Sequence, residues 1–356
     1  MKFSICIPNY NYEHYVGETV ASVLGQTHKD LEIRLSDNAS TDASVRVVEA
    51  FGDSRVHIHV NRRNVGFAGN LDRACAGATG DAMILVSSDD LLEPEALATY
   101  DELYAALGDL ASRTIICAAY RIIDGEGNIT GGQRADPKYW AAATIDPALS
   151  AIVGAEVLRI PAETLLGASM RLLRVPSLWL TMAYPRSLYE QVEGYGGARY
   201  QNPDKAFGWK IIAAADEVLF VQKPLFRYRV HGSNQAAVQT QSGALKHISD
   251  EYANTFDTPP DVLARAGLSQ SDLAKAFIEQ DIGLRGLQFV AQGKREEARR
   301  GLNFGKAAYP ALTAANRKVW ALRALLALGP VGTMIAARLH RAALARWSAA
   351  QASLDS

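Results

Sequence analysis

Four apolar runs in the first ninety residues each lead into polar sequence, and that rhythm constrains the fold more than any other feature. FSICI (Phe3 to Ile7), LEIRL (Leu31 to Leu35), VHIHV (Val56 to Val60) and AMILV (Ala82 to Val86) read as short strands. Between them lie helical stretches. The first, near Tyr15 to Gln26, carries Val16, Val20, Val23 and Leu24 at helical spacing; others follow near Ser44 to Phe51 and near Gly69 to Ala78. Strand and helix in alternation predict a parallel, right-handed α/β sheet. Ligands of such sheets sit beyond the carboxyl ends of the strands. Three polar clusters, PNYN, SDNASTD and SSDD, fall at such ends.

The SSDD cluster poses a physical problem. Asp89 and Asp90 are adjacent carboxylates at the mouth of a fully apolar strand, where like charges repel strongly. A bound cation, full solvation or a helix N-terminus would each relieve them. Bulk composition leaves these options open. The chain has 356 residues, which suits two domains better than one or three. Its 48% hydrophobic content describes a globular protein, and its net charge of -1 gives no general attraction to nucleic acid. Cys6, Cys75 and Cys117 show no CxxC spacing, so a disulfide framework or zinc site is not expected and a reducing cytosol fits. MKFSICIPNYN lacks a signal-peptide core. The uncharged stretch Ala324 to Ala337 is too short to span a bilayer.

Beyond residue 120 the pattern loosens. Residues 121 to 175 mix glycines and prolines with short apolar runs, which suits a substrate-shaped lobe. KPLFRYRVHGSN reads as one more strand leaving the core. From about Asn234 the pattern is helical, with a hairpin joined near Gly293 and a stop at Pro310.

Each polar candidate has a purely structural reading. Asp90 or Glu93 could cap the helix begun by Pro94, and Asp37 and Asp42 could be turn residues. Tyr10 could be an amphipathic surface ring, His231 a surface histidine, and Asp204 the N-cap of a helix running through Trp209. Their combination on one edge of one sheet points instead to a site. The ordered set SICIPNYN, SDNASTD, NRRNVGFAGN, SSDDLLEP, NPDKAF and KPLFRYRVHGSN resembles the GT-A-fold, family 2 inverting glycosyltransferases, over residues 1 to about 235.

That resemblance implies a GT-A domain at 1–235, with a donor half at about 1–120 and an acceptor half at about 121–235. A helical extension at 236–356 follows. It implies that Pro8 and Tyr10 pack on the uracil of a UDP-sugar and that Asp37 accepts from the base N3–H. Gly66 and Asn70 line the nucleotide pocket, with Ser88 and Asp89 among the nucleotide contacts. Asp89, Asp90 and His231 hold a divalent cation, Mn²⁺ or Mg²⁺, and Asp204 is the catalytic base. Two positions depart from the family pattern. Many members read DADD where this chain has SSDD, so Ser87 stands in for a carboxylate, and Pro203 replaces the usual glutamate before the base. The implied reaction is single displacement from a nucleoside-diphosphate sugar, UDP favoured with dTDP or GDP open, to a glycan or polyprenyl-linked glycan.

Rival classes lack their signatures. No GxGxxG follows the first strand and no GxxxxGK[ST] occurs, so a dehydrogenase or P-loop enzyme is disfavoured. A non-catalytic GT-A-like protein that binds nucleotide or glycan is the alternative. One feature lies outside the resemblance. Between Glu297 and Asp355 there are nine Lys and Arg residues and no acid, interleaved with Trp320, Leu328, Val331, Met334, Ile335, Leu339, Leu344 and Trp347. Such an arm suits an anionic membrane interface, or a helical lid whose arginines pair with acids elsewhere. The expected location is cytoplasmic, either free or peripheral on the inner membrane.

Overall fold

The computed structural model describes residues 1–196, 203–232 and 244–352, with residue 244 and residues 343–352 described by backbone alone. The chain divides into two compact units. One comprises Met1–Met170, Arg174–Gly232 and Pro259–Gly267; the other comprises Arg171–Leu173, Ser233–Thr258 and Leu268–Ser356. The domain boundary expected near residue 235 falls outside the described residues.

The first unit is built on an eleven-stranded sheet. Its strands are β1 (Phe3–Asn9), β2 (Leu31–Asp37), β3 (Val56–Val60), β4 (Ala82–Leu85), β5 (Leu91–Leu92), β6 (Thr114–Ile123), β7 (Ile129–Gln133), β8 (Thr144–Ile145), β9 (Val157–Pro161), β10 (Ala183–Pro185) and β11 (Glu217–Arg229). The helices packed with them are α1 (Val16–Leu24), α2 (Ser44–Glu49), α3 (Phe67–Cys75), α4 (Ala96–Leu107), α5 (Pro137–Trp140), α6 (Pro147–Val153), α7 (Ala162–Leu172), α8 (Arg186–Gln191) and α9 (Pro203–Ala214).

The strand order is β3-β2-β1-β4-β10-β6-β11-β9-β8, with β5 joined to β11 and β7 to β6. Strands β3, β2, β1 and β4 are all parallel, as the alternation predicts. β1 is buried on both faces, and Phe3, Ile5 and Ile7 share one core with Val16, Val20 and Val23 of α1. VHIHV is the edge strand its alternation suggests, with every residue partly or fully exposed. The remaining sheet is mixed. β10 runs antiparallel to both β4 and β6, and β7, β8 and β9 return by short connections that only antiparallel partners permit.

β11 deserves separate description because it carries the site. Its first half pairs with β9 and its second half with β5, while β6 runs parallel beside it throughout. The register slips on either side of Pro224, which has no N–H to give the ladder. That bulge re-aims the strand toward the donor half. Glu93 secures it there: its carboxylate takes Arg227 at 2.9 and 2.8 Å and Arg121 at 2.9 Å.

The second unit is helical: α10 (Ala244–Phe256), α12 (Gln270–Phe277), α13 (Arg285–Ala291), α14 (Arg295–Ala308), α15 (Pro310–Ala315), α16 (Arg317–Ala327) and α17 (Gly329–Ala352), while α11 (Pro260–Arg265) belongs to the first unit. A π-helical stretch, Ile278–Leu284, joins α12 to α13. The expected hairpin turn is present at Gly293, which has φ +79°. Among the described residues no helix is long and apolar enough to cross a membrane.

Glu32 ties the parallel half together from its amino end. It accepts from Ser4 Oγ at 2.6 Å, Thr79 N at 2.7 Å and Lys2 Nζ at 3.4 Å. Burial alone would raise its carboxyl, but these donors outweigh burial and hold it at about 2 against an ordinary 4.5. A lowered folded value stabilises the protein above the unfolded value and loses that contribution as pH falls through about 2. Glu32→Gln is therefore expected to be less stable near neutrality and to lack this acid-dependent slope. Urea unfolding across the interval from about pH 5 to pH 2 checks it.

Candidate active site

The site lies where β1, β2 and β4 end. Strand β1 is central, so the PNYN loop is flanked by SDNASTD after β2 and by SSDD after β4. Ser88 Oγ donates to Pro8 O at 3.0 Å across this gap.

On the β2 side the polar side chains turn inward. Asp37 is fully buried. Its Oδ1 accepts from Asn9 Nδ2 at 2.8 Å and Ser40 Oγ at 2.5 Å, and its Oδ2 accepts from Ser40 N at 2.9 Å. Asn70, also buried, donates to Asn9 O at 3.2 Å and Ser36 O at 3.0 Å and accepts from Ser36 Oγ and Asn61 Nδ2. Its amide thus joins the ends of β1 and β2. Gly66 sits just before α3 at φ +81°, where a side chain would be strained, and its carbonyl accepts from Asn38 Nδ2. Tyr10 is different: it is 44% exposed beyond the end of β1.

On the β4 side stands the acidic pair. Neither Asp90 nor Glu93 caps a helix, since α4 begins at Ala96 with no side-chain cap. The antiparallel pairing of β5 with β11 sets Arg227 opposite Leu91, which carries Arg229 and His231 to the acids. Arg229 N donates to Asp90 Oδ1 at 2.9 Å and Arg229 Nε to Asp89 O at 2.8 Å. The guanidinium, 1% exposed, also reaches Gly125 O at 3.1 Å and Glu18 Oε2 at 2.6 Å and lies 4.9 Å from the Tyr15 ring centre. His231 is not a surface residue. Its Nε2 lies 2.9 Å from Asp89 Oδ2, and its ring packs against Tyr15 at 4.7 Å and Tyr12 at 6.0 Å.

Burial raises the Asp89 carboxyl, opposed by His231 and Arg229. Burial also pushes Asp90 well upward, and the Asp89 charge adds to it. The same two acids, after burial, push up the Tyr12 hydroxyl. Asp90 Oδ2 is buried and takes no hydrogen bond of ordinary geometry among the described residues. Asp89 and His231 are in contact, but Asp90 turns toward the Arg229 backbone, and the three do not converge on one point.

Asp204 is in the first turn of α9. That helix packs through Phe207 on Tyr195, ring centres 4.0 Å apart, and through Trp209 Nε1 on Ser169 Oγ at 2.9 Å. Two residues then turn the chain back into β11, which runs parallel with β6. Gln201, Asn202, Ser233 and Asn234 of the flanking motifs lie outside the described residues.

Sequence reasoning missed Arg229, Glu18, Tyr12 and Tyr15. The signal for Arg229 was an arginine two residues before His231, at the end of the strand that leads to it. The fork of a guanidinium, not its charge alone, is what reaches three oxygens on separate segments.

Comparison with known proteins agrees with this geometry. Residues 4–154 match the model of Glycosyl transferase family 2. An uncharacterized glycosyltransferase of Nostoc sp. is 26% identical over 281 residues, 76% of this chain and 80% of that protein. Glycosyltransferase GlyA of Streptococcus pneumoniae is 23% identical over 246 residues, 67% of this chain, which spans only 32% of GlyA. The crystal structure of S. aureus TarS residues 1–349 in complex with UDP-GlcNAc superposes with TM-score 0.63 at 17% identity, covering 94% of this chain and 89% of that one. The fold is that of the GT-A glycosyltransferases. Residues 4–154 carry a glycosyltransferase family 2 domain, and the protein is a glycosyltransferase.

Arg229→Lys keeps the charge but loses the fork. It is expected to cost about 2–4 kcal/mol, from the loss of charge-assisted hydrogen bonds in a buried place. Urea unfolding measures that cost; a change below about 0.5 kcal/mol would show that the clamp carries little.

Proposed function

We propose that the protein is an inverting, divalent-cation-dependent transferase. It would move a sugar from a nucleoside-diphosphate donor, UDP favoured and dTDP or GDP open, to a hydroxyl of a glycan or polyprenyl-linked glycan at the membrane surface. The observation that carries this reading is the buried acidic pair, with Asp90 Oδ2 lacking an ordinary hydrogen bond. Two raised carboxylates are costly unless positive charge joins them.

Hard carboxylate oxygens and an imidazole nitrogen suit Mn²⁺ or Mg²⁺, so Asp89 and His231, which are in contact, would hold the cation, and Asp90 would join them once its carboxylate turned from the Arg229 backbone. When bound, such a cation supplies positive charge beside a diphosphate leaving group. The loops on the two sides of β1 are separated by two strand spacings, about 10 Å, a span a nucleoside diphosphate can bridge. Pro8 and the exposed Tyr10 offer the surface for a base ring. Asp37, being buried, would serve the base by fixing Asn9 and Ser40 from beneath. Gly66 and Asn70 would set the far wall, and Ser88 would hold the diphosphate-side loop to Pro8. Asp204 would take the proton from the acceptor hydroxyl as it attacks the anomeric carbon, and one displacement inverts that centre.

A thermal-shift panel of UDP, dTDP and GDP with and without Mn²⁺ tests the reading, because a ligand that binds the native state raises its stability. The expected result is a Mn²⁺-dependent shift with UDP that is reduced in both Asp89→Ala and Asp90→Ala. Unchanged Mn²⁺-dependent UDP calorimetry in both variants would remove these acids from the cation site.

A second outcome concerns the base. Asp204→Asn is expected to retain donor binding while transfer falls by roughly 10²- to 10⁴-fold. Transfer at the parent rate would place the base elsewhere.

A further inference from the structure

The outer face of α17 has the reverse of ordinary helix amphipathicity. Its inward positions are small: Gly332 and Ala336 are buried. A Cβ at Gly332 would lie 1.9 Å from the Leu325 carbonyl oxygen, so only glycine allows α17 to start this close to α16. Its large apolar side chains face solvent instead. Val331 is 51%, Met334 59% and Leu339 64% exposed, and Ile335 is also exposed. These positions, with Arg338, follow the three- and four-residue spacing of a single helical stripe. A water-facing helix of a folded unit normally shows the opposite distribution, so this stripe marks a surface built to be covered.

The charge around the stripe identifies what covers it. Arg338 and Arg341 are exposed and make no ion pair among the described residues. No acidic residue occurs between Glu297 and Asp355. A second copy docked by the same face would set these arginines against their own counterparts without compensating acids. A nucleic acid would satisfy the arginines but leave the apolar stripe in water. A bilayer with anionic headgroups meets both requirements: acyl chains accept Val331, Met334, Ile335 and Leu339, and the headgroups neutralise the arginines. We propose that the outer face of α17 docks the protein in the plane of an anionic lipid surface. This deepens the membrane-surface acceptor reading above but draws on a different part of the chain and stands independently of the cation site.

The test is flotation of the full chain with phosphatidylglycerol-rich vesicles and with pure phosphatidylcholine vesicles. The expected result is co-flotation with the anionic vesicles at low salt, weakened at high salt by screening. The double variant Met334→Glu, Leu339→Glu should lose at least tenfold in vesicle partitioning. It should keep its circular dichroism and its UDP-induced thermal shift, since both side chains are exposed. Arg338→Ser with Arg341→Ser should remove most of the salt dependence. Wild-type protein that stays in the soluble fraction would overturn the proposal, as would a double variant that floats like the parent. It would also fail if light scattering showed a parent dimer that the glutamate variant converts to monomer, because the face would then join two copies. If flotation fails while the UDP shift persists, the docking face is wrong and the catalytic reading is untouched; the reverse pair of results separates them the other way.

Discussion

The buried guanidinium of Arg229 is the contact on which the acidic side of the site depends. It holds the carbonyl of Asp89, the carbonyl of Gly125 and the carboxylate of Glu18, while its own backbone N–H holds Asp90. Three other chain segments meet on this one residue. A buried cation is costly without full pairing, so the surrounding oxygens and the charge are mutually required. The Tyr15 ring against the guanidinium adds a further contact that fixes its plane. His231, two residues on, is thereby set against Asp89, and Tyr12 and Tyr15 close around it.

The side around Asp37 is organised by a different chemistry. There the connections are neutral amides and a single carboxylate, mostly paired within the protein, although the buried side-chain oxygens of Asn9 and Asn61 accept no hydrogen bond among the described residues. Asn70 joins β1 to β2, Asn38 joins the turn after β2 to the Asn64–Gly66 segment, and Asp37 holds Asn9 and Ser40. Linked amides of this kind fix loop geometry because movement of one member would break the hydrogen bonds of the next. One side of the site is therefore built mainly of amides around one buried carboxylate. The other concentrates two raised carboxylates, one with an oxygen that takes no ordinary hydrogen bond. That division suits a ligand with a planar base at one end and multiple negative charges at the other.

The C-terminal helices follow a third logic. The close approach of α17 to α16 consumes the small residues, and the large apolar residues are left on the outside with arginines. The exposed stripe is a consequence of which residues the packing accepts, not of a shortage of hydrophobic material in the chain.

The sequence by itself determined the strand–helix alternation of the first ninety residues, the polar clusters at the strand ends and the acid-free arm. Each is written in local spacing, where the two- and 3.6-residue periods leave a direct trace. It also marked Asp89, Asp90 and His231 as partners of one site through the resemblance. The tertiary structure decided what those residues touch. Arg229 and His231 meet the acids from about 140 positions away because Pro224 bulges β11 and the short β5 pairs with its second half. Asn70, which the resemblance implies lines the nucleotide pocket, has its amide turned inward onto Asn9, Ser36 and Asn61. The mixed half of the sheet was equally hidden, since the choice of antiparallel neighbours depends on long-range register, and register is set by contacts that no local window contains.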